Sequence, residues 1–260
     1  MRSHRQTWSA CRIRCMAVCL SVVIAPMAML ANFTTAAADW PSCSYSSGNY
    51  RCYANAKNGD GQTYHGAILN QNDANMYLNN YSQGQHINSE MWFYTSPSQS
   101  QWVETGLRNG YDANNSCQCV AYEAFWGDEA NGNFYRHPIA NYVPDQQNHV
   151  YEIQKSGNTN NWAVFLDNNY QGVSTVAPSS VGYSDVVGSE ISLTSPLDST
   201  THADTFNMYM QNLRTSSYSW YYWPSLQIYA VQQGCGSTWH QGQCQNAATY
   251  ASYEWSWNKP

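Results

Sequence analysis

The sequence predicts an all-β chain folded as an antiparallel β-sandwich. Short runs rich in β-branched and aromatic residues recur along it, separated by turn residues. No window of about 12 residues carries a 3.6-residue apolar period, so no amphipathic helix is expected. Only 11% of the 260 residues are charged while 15% are aromatic, with 21 Tyr and 11 Trp against 6 Phe. Charge is thus well below the usual share of about a quarter, and the content of order-promoting residues is too high for a disordered chain.

The first 38 residues read as a secretory signal peptide. Arg2, Arg5, Arg12 and Arg14 form a basic start, Met16 to Leu30 is apolar, and Ala36-Ala37-Ala38 is an A-x-A cleavage pattern before Asp39. The apolar run is short for a membrane span, and no later segment suits one. Cleavage removes 4 of the 11 basic residues and none of the 17 acidic ones, which moves the formal net charge from −6 to −10. A secreted protein, free of the membrane after cleavage and monomeric, is expected. Lys and Arg are too few for a nucleic-acid partner, whose phosphates need neutralising.

Residues 39–63 form a Cys/Ser/Gly/Asn-rich opening segment. The sandwich domain is expected over 64–231. Its strand runs are Tyr64–Leu69, His86–Thr95, Trp102–Arg108, Val120–Trp126, Asn133–Ile139, His149–Gln154, Trp162–Asp167, Val186–Thr194, Phe206–Arg214 and Trp220–Val231. Breakers such as Ser96-Pro97, Asn109-Gly110, Asn131-Gly132, Ser156-Gly157 and Ser195-Pro196 stand between them. A tail, 232–260, closes the chain, and its Trp255-Ser256-Trp257 suits packing back on the domain. Six cysteines follow the signal: Cys43, Cys52, Cys117, Cys119, Cys235 and Cys244. An even number in an oxidising compartment points to three disulfides whose pairing stays open. Cys43 with Cys52 and Cys235 with Cys244 suit local staples, whereas a Cys117–Cys119 bond would close a very small ring.

Two strands carry a carboxylate opposite a core-facing row. In Trp102–Leu107, side chains alternate, so Val103, Thr105 and Leu107 share one face and Trp102, Glu104 and Gly106 the other. In Val187–Leu193, Val187, Ile191 and Leu193 point one way, and Gly188, Glu190 and Ser192 the other. Glycines beside each carboxylate leave room for a ligand or another backbone. Glu123 is a third strand carboxylate. No Gly-x-Ser-x-Gly elbow occurs, and His65, His86, His137, His149, His202 and His240 lack His-Glu-x-x-His spacing, so they read as ordinary polar residues. Asp128–Asn133 reads as a hairpin turn rather than a Ca²⁺ loop. No metal or cofactor is expected.

The order of these features resembles the neprosin-type and fungal glutamic peptidases. The stretches that carry the likeness are Tyr64-His65-Gly66-Ala67, Ser89-Glu90-Met91-Trp92, Trp102-Val103-Glu104-Thr105-Gly106 and Gly188-Ser189-Glu190-Ile191. They resemble a Gly-Ala strand, an aromatic strand, an Ile/Val-Glu-x-Gly motif with the first catalytic Glu, and a Gly-Gly-Glu-Val strand with the second. Glu104-Thr105-Gly106 also looks like the fungal Gln-Thr-Gly motif with Glu for Gln. Ser189 replaces a family glycine, and Leu107 stands where a Trp follows the first Glu. The resemblance implies a concanavalin-like jelly roll and a carboxyl dyad that hydrolyses polypeptides with water at acidic pH, without a cofactor. In such a dyad Glu190 is assigned as base and Glu104 as acid, an order that stays open, and Trp102, Trp126 and Tyr209 are expected against the substrate.

The alternative is a secreted, non-catalytic carbohydrate-binding sandwich, its partner a polysaccharide. Trp92, Trp102, Trp126 and Tyr209 would then stack on sugar rings, unless they fill the core, the usual place for such side chains. Paired strand carboxylates also suit glycoside hydrolysis, but no glycosidase signature surrounds these.

Overall fold

Strand-forming runs alternate with turns throughout, and every regular element of the described residues is a strand. The computed structural model describes residues 44–46, 49–78, 85–111, 120–139, 142, 144–193, 202–228, 243–246 and 251–257. The described residues all belong to one compact unit, Ala38–Pro260; the expected signal peptide lies outside the described residues.

In chain order the strands are β1 (Ser44–Ser46), β2 (Asn49–Asn58), β3 (Tyr64–Asn72), β4 (Met76–Tyr77), β5 (His86–Tyr94) and β6 (Gln101–Tyr111). Then come β7 (Val120–Ala130), β8 (Asn133–Pro138), β9 (Asn148–Lys155), β10 (Trp162–Leu166), β11 (Asn169–Ser174) and β12 (Ser184–Leu193). The last are β13 (His202–Arg214), β14 (Trp220–Tyr222), β15 (Leu226–Ile228), β16 (Gln243–Asn246) and β17 (Ala251–Trp257). One sheet runs β1-β2-β12-β5-β6-β7-β8, with β15 on β2. The other runs β11-β10-β9-β3-β13-β17-β16, with β4 and β14 also on β13. All pairings are antiparallel, and the insertion of β12 between β2 and β5 is a long jelly-roll crossover.

Alternation decides which side chains fill the space between the sheets. Ile87, Met91 and Phe93 from β5, and Val187 and Ile191 from β12, are fully buried there. Tyr151, Trp162, Phe206 and Met208 meet them from the second sheet. Phe93 stands edge-on to Trp162 with centroids 4.8 Å apart, and Phe206 stacks on Trp255 at 4.7 Å and 6°. One set of buried polar groups is bonded across the layers. Ser89 donates to Gln71 at 2.8 Å and accepts from the Trp255 indole at 3.2 Å. This bond set ties β5 to β3 and β17.

The sequence-derived strands recur within a few residues, β4 and β11 stand beside them unforeseen, and three further differences concern the ends of the domain. The opening segment contributes β2, which pairs along its length with β12, so the sandwich begins before residue 64. The tail contributes β17, paired with β13, and Trp255 is buried as expected of that aromatic end. The run Trp220–Val231 is broken into β14 and β15, since Pro224 lacks the donor a continuous strand needs. The β7–β8 turn is a hairpin at Asn131-Gly132, both with positive φ (56° and 78°), the conformation that favours Asn-Gly. Cys52 is buried and disulfide-bonded. Cys43, Cys117, Cys119 and Cys235 lie outside the described residues, as does the side chain of Cys244.

Candidate active site

Strands β12, β5 and β6 are neighbours, and their registers set the site. Gly188 stands opposite Glu90, which stands opposite Gly106. One pair further along, Val186, Trp92 and Glu104 share a row; one pair back, Glu190, Asn88 and Arg108 do. Directly paired residues project to the same face. Glu104, Glu90 and Glu190 therefore stand on one face of the first sheet, on a diagonal with Glu90 in the middle.

The glycines permit this crowding. A Cβ on Gly106 would lie 2.2 Å from the Ser89 carbonyl and 2.6 Å from the Glu90 Cα. Gly188 has φ 142°, and a Cβ there would lie 2.0 Å from the Ala54 carbonyl. On β7, Gly127 leaves space filled by the Phe134 ring and the Glu104 side chain.

The surroundings of the carboxyls differ. Glu190 faces two basic side chains: His86 Nε2 is 3.4 Å and Arg51 Nε 3.6 Å from its Oε1. Burial opposes its ionisation, but His86, Arg51 and a hydrogen bond with Tyr53 outweigh that and hold it below the ordinary glutamate range. Glu104 is 4% exposed, and burial pushes it up to about 8, against the Trp102 indole, which donates to its Oε2 at 2.7 Å. The charge of Glu190 adds to the rise. Glu90 is fully buried, accepts from the Asn88 amide at 2.9 Å, and is raised well above its ordinary value by burial and then by Glu104 and Glu190. The face thus joins one stabilised carboxylate to two carboxyls that favour their protons.

The expected residues are partly brought together. Glu104, Glu190 and Trp102 share this face. Trp126 does not: it pairs with Thr105, faces the other sheet, stacks on His137 at 3.8 Å and touches Gly172 of β11. Tyr209 is exposed on β13, between buried Met208 and Met210, so it lies on the outer face of the second sheet. Two-residue alternation explains both placements. Glu123 is ion-paired with Arg136. Glu90, Asn88, His86, Arg51 and Tyr53 were not singled out as site residues. The signal for the first three was present, since Ile87, Ser89, Met91 and Phe93 form an inward row that sends His86, Asn88, Glu90 and Trp92 to the other face.

A second cluster lies on the other sheet. Ligand atoms of Asp73, Asp145 and His149 are within 4.8 Å of one another. His149 lies between Asp167 (2.6 Å) and Asp145 (3.0 Å), and Asp73 accepts from Tyr142 and Tyr151. His149 is therefore a charge-linked residue rather than an ordinary polar one.

No protein-family model matches the chain, and no curated protein matches it. Among solved structures it is similar to scytalido-glutamic peptidase at 10% identity, over 80% of this chain and 99% of that one, with a TM-score of 0.49. It is also similar to the Bacillus licheniformis β-glucanase at 12% identity, over 65% and 92%, with a TM-score of 0.36. A Caenorhabditis elegans galectin, LEC-6, is similar at 10% identity, over 57% and 99%, with a TM-score of 0.28. At these identities the likeness concerns sandwich architecture alone.

Proposed function

We propose that the chain is a secreted glutamic-type endopeptidase of the neprosin-like kind, hydrolysing peptide bonds in polypeptides. The observation that carries the reading is the placement of two carboxyls on one face in opposed surroundings: Glu190 beside Arg51 and His86, Glu104 buried with the Trp102 indole as its donor. Paired titratable groups pushed apart by their surroundings are the signature of an acid and a base.

Glu190 takes a proton from water as the oxygen attacks the peptide carbonyl. Glu104 donates a hydrogen bond to the developing oxyanion, then passes its proton to the departing amine as the C–N bond breaks. Glu190 is left protonated and Glu104 ionised, and proton return through solvent resets the site. The reaction needs Glu190 charged and Glu104 neutral. Its window therefore runs from below the ordinary glutamate value of 4.5 to about 8, wider than a strictly acidic optimum. Half-buried Trp102, beside Glu104, is placed to meet the substrate.

Of the aromatics that the lectin-like alternative would use, Trp92 and Trp102 share this face, whereas Trp126 and Tyr209 lie on others. An assay of a denatured protein substrate beside a β-glucan, with Glu104→Gln and Glu190→Gln as controls, tests the proposal. Peptide cleavage lost in both folded variants supports it, and glucan cleavage or binding alone replaces it.

A further inference from the structure

Glu90 occupies a position that the two-carboxyl scheme does not use. It is fully buried at the centre of the diagonal, with a glycine on each side to admit it. Its Oε1 has the Asn88 amide, while its Oε2 is buried with no hydrogen-bond partner among the described residues. The charged neighbours on each adjoining strand are accounted for. On β6 the Glu104 carboxyl is its diagonal neighbour on the same face, and on β12 the Glu190 carboxyl is the other. The basic side chains Arg51 of β2 and His86 of β5 are directed at Glu190. Tyr53 of β2 bonds Glu190 too. The Arg108 guanidinium of β6 lies over Gly110, beyond the row of Glu90. Two carboxyls can bond each other only if one keeps a proton, and a buried carboxylate lacking a cation is too costly to persist.

On the basis of the peptidase reading, we propose that Glu90 is a positioning residue of the site, a carboxylic acid that keeps its proton and donates it as a hydrogen bond to Glu104. The three carboxyls then hold two protons and one charge, carried by Glu190. The donor matters most after Glu104 has passed its proton to the leaving amine. At that moment Glu104 is a buried carboxylate, and the Glu90 hydroxyl joins the Trp102 indole in stabilising it. No net proton leaves Glu90 during the cycle.

Glu90→Leu removes the donor at similar volume, and Glu90→Gln restores a donor that cannot ionise. The leucine variant is expected to lose about 10- to 100-fold in kcat with KM little changed, the worth of one hydrogen bond to a charged group. Its alkaline limb moves to higher pH, because the Glu104 anion is less stable. Gln returns both values toward wild type. Carboxyl ¹³C NMR of the full chain, with the Glu90 signal assigned by its loss in Glu90→Gln, reads the proton independently of catalysis and of leucine-variant folding. The expected result is a Glu90 signal at its protonated position through neutral pH. Ionisation of Glu90 in the acidic range overturns the inference, as does a Gln variant as inactive as Glu104→Gln, which makes Glu90 a reacting group. If wild type cleaves no peptide bond, the peptidase reading fails while the NMR titration still decides the state of Glu90.

Discussion

Glu190 keeps its charge in a largely buried position because Arg51, His86 and a phenol hydroxyl surround it, while Glu104, with an indole donor and no ion pair among the described residues, leans the other way. Removing either basic side chain should therefore raise the pKa of Glu190 and move the acid limb of activity upward. His86→Ala and Arg51→Ala are each expected to shift that limb to higher pH and leave the alkaline limb in place, as read from kcat/KM profiles. An unmoved acid limb in both would detach Glu190 from the base role. At this scale the sequence was partly legible. Alternation put Glu104 and Glu190 opposite the core row, and it held enough to put Glu90 there too. Arg51 and Tyr53 were harder to see, because the inward row of β2 is Cys52, Ala54 and Ala56, too small to announce a strand.

The elements place these residues by close backbone approach. Gly188 and Gly106 flank Glu90, and each would drive a Cβ into backbone atoms of the neighbouring strand. Backbone cannot yield as a flexible side chain can. Gly106→Ala is expected to cost about 3 kcal/mol of stability and to displace Glu104, its neighbour two residues away. Chemical denaturation and the activity of the remaining folded protein check both effects; wild-type values in both would mean that the β5–β6 approach is looser than described. The strands themselves were well marked in sequence by aromatic runs and Asn-Gly turns. The order of the strands was not, because it depends on crossovers: β12 lies beside β5 although about 90 residues separate them, a separation no local pattern encodes. Trp126 and Tyr209 show the same limit. Their residue types suited a ligand face, but the side each takes follows from strand register and from which sheet each strand joins.

The whole molecule couples its site to its far end and to pH. Trp255 of β17 stacks on Phe206 and donates to Ser89, the neighbour of Glu90, so the last described strand braces the strand that carries the central carboxyl. Trp255→Ala should cost about 3–5 kcal/mol, measured by denaturant titration, and a near-neutral result would show that β17 is dispensable. Stability should also fall as pH rises. Burial raises Glu104 to about 8 and Asp73 and Asp185 to about 7. Each binds its proton more tightly in the folded state, so its contribution is complete below the unfolded value and is lost as pH climbs through the folded one. Glu190 works in the opposite sense, its contribution being lost as pH drops through its lowered value. Maximum stability is thus expected in the mildly acidic range, and Glu104→Gln should gain in Tm relative to wild type as pH rises from about 5 to about 8. A constant Tm difference would contradict the buried, protonated Glu104. The central claim is tested most directly by one comparison: hydrolysis of a denatured protein by wild type, Glu104→Gln and Glu190→Gln from about pH 3 to about pH 9, with folding verified by circular dichroism. The account predicts a bell-shaped wild-type profile with its alkaline limb near 8 and a loss of at least about 100-fold in each variant. Full activity in either folded variant would contradict it.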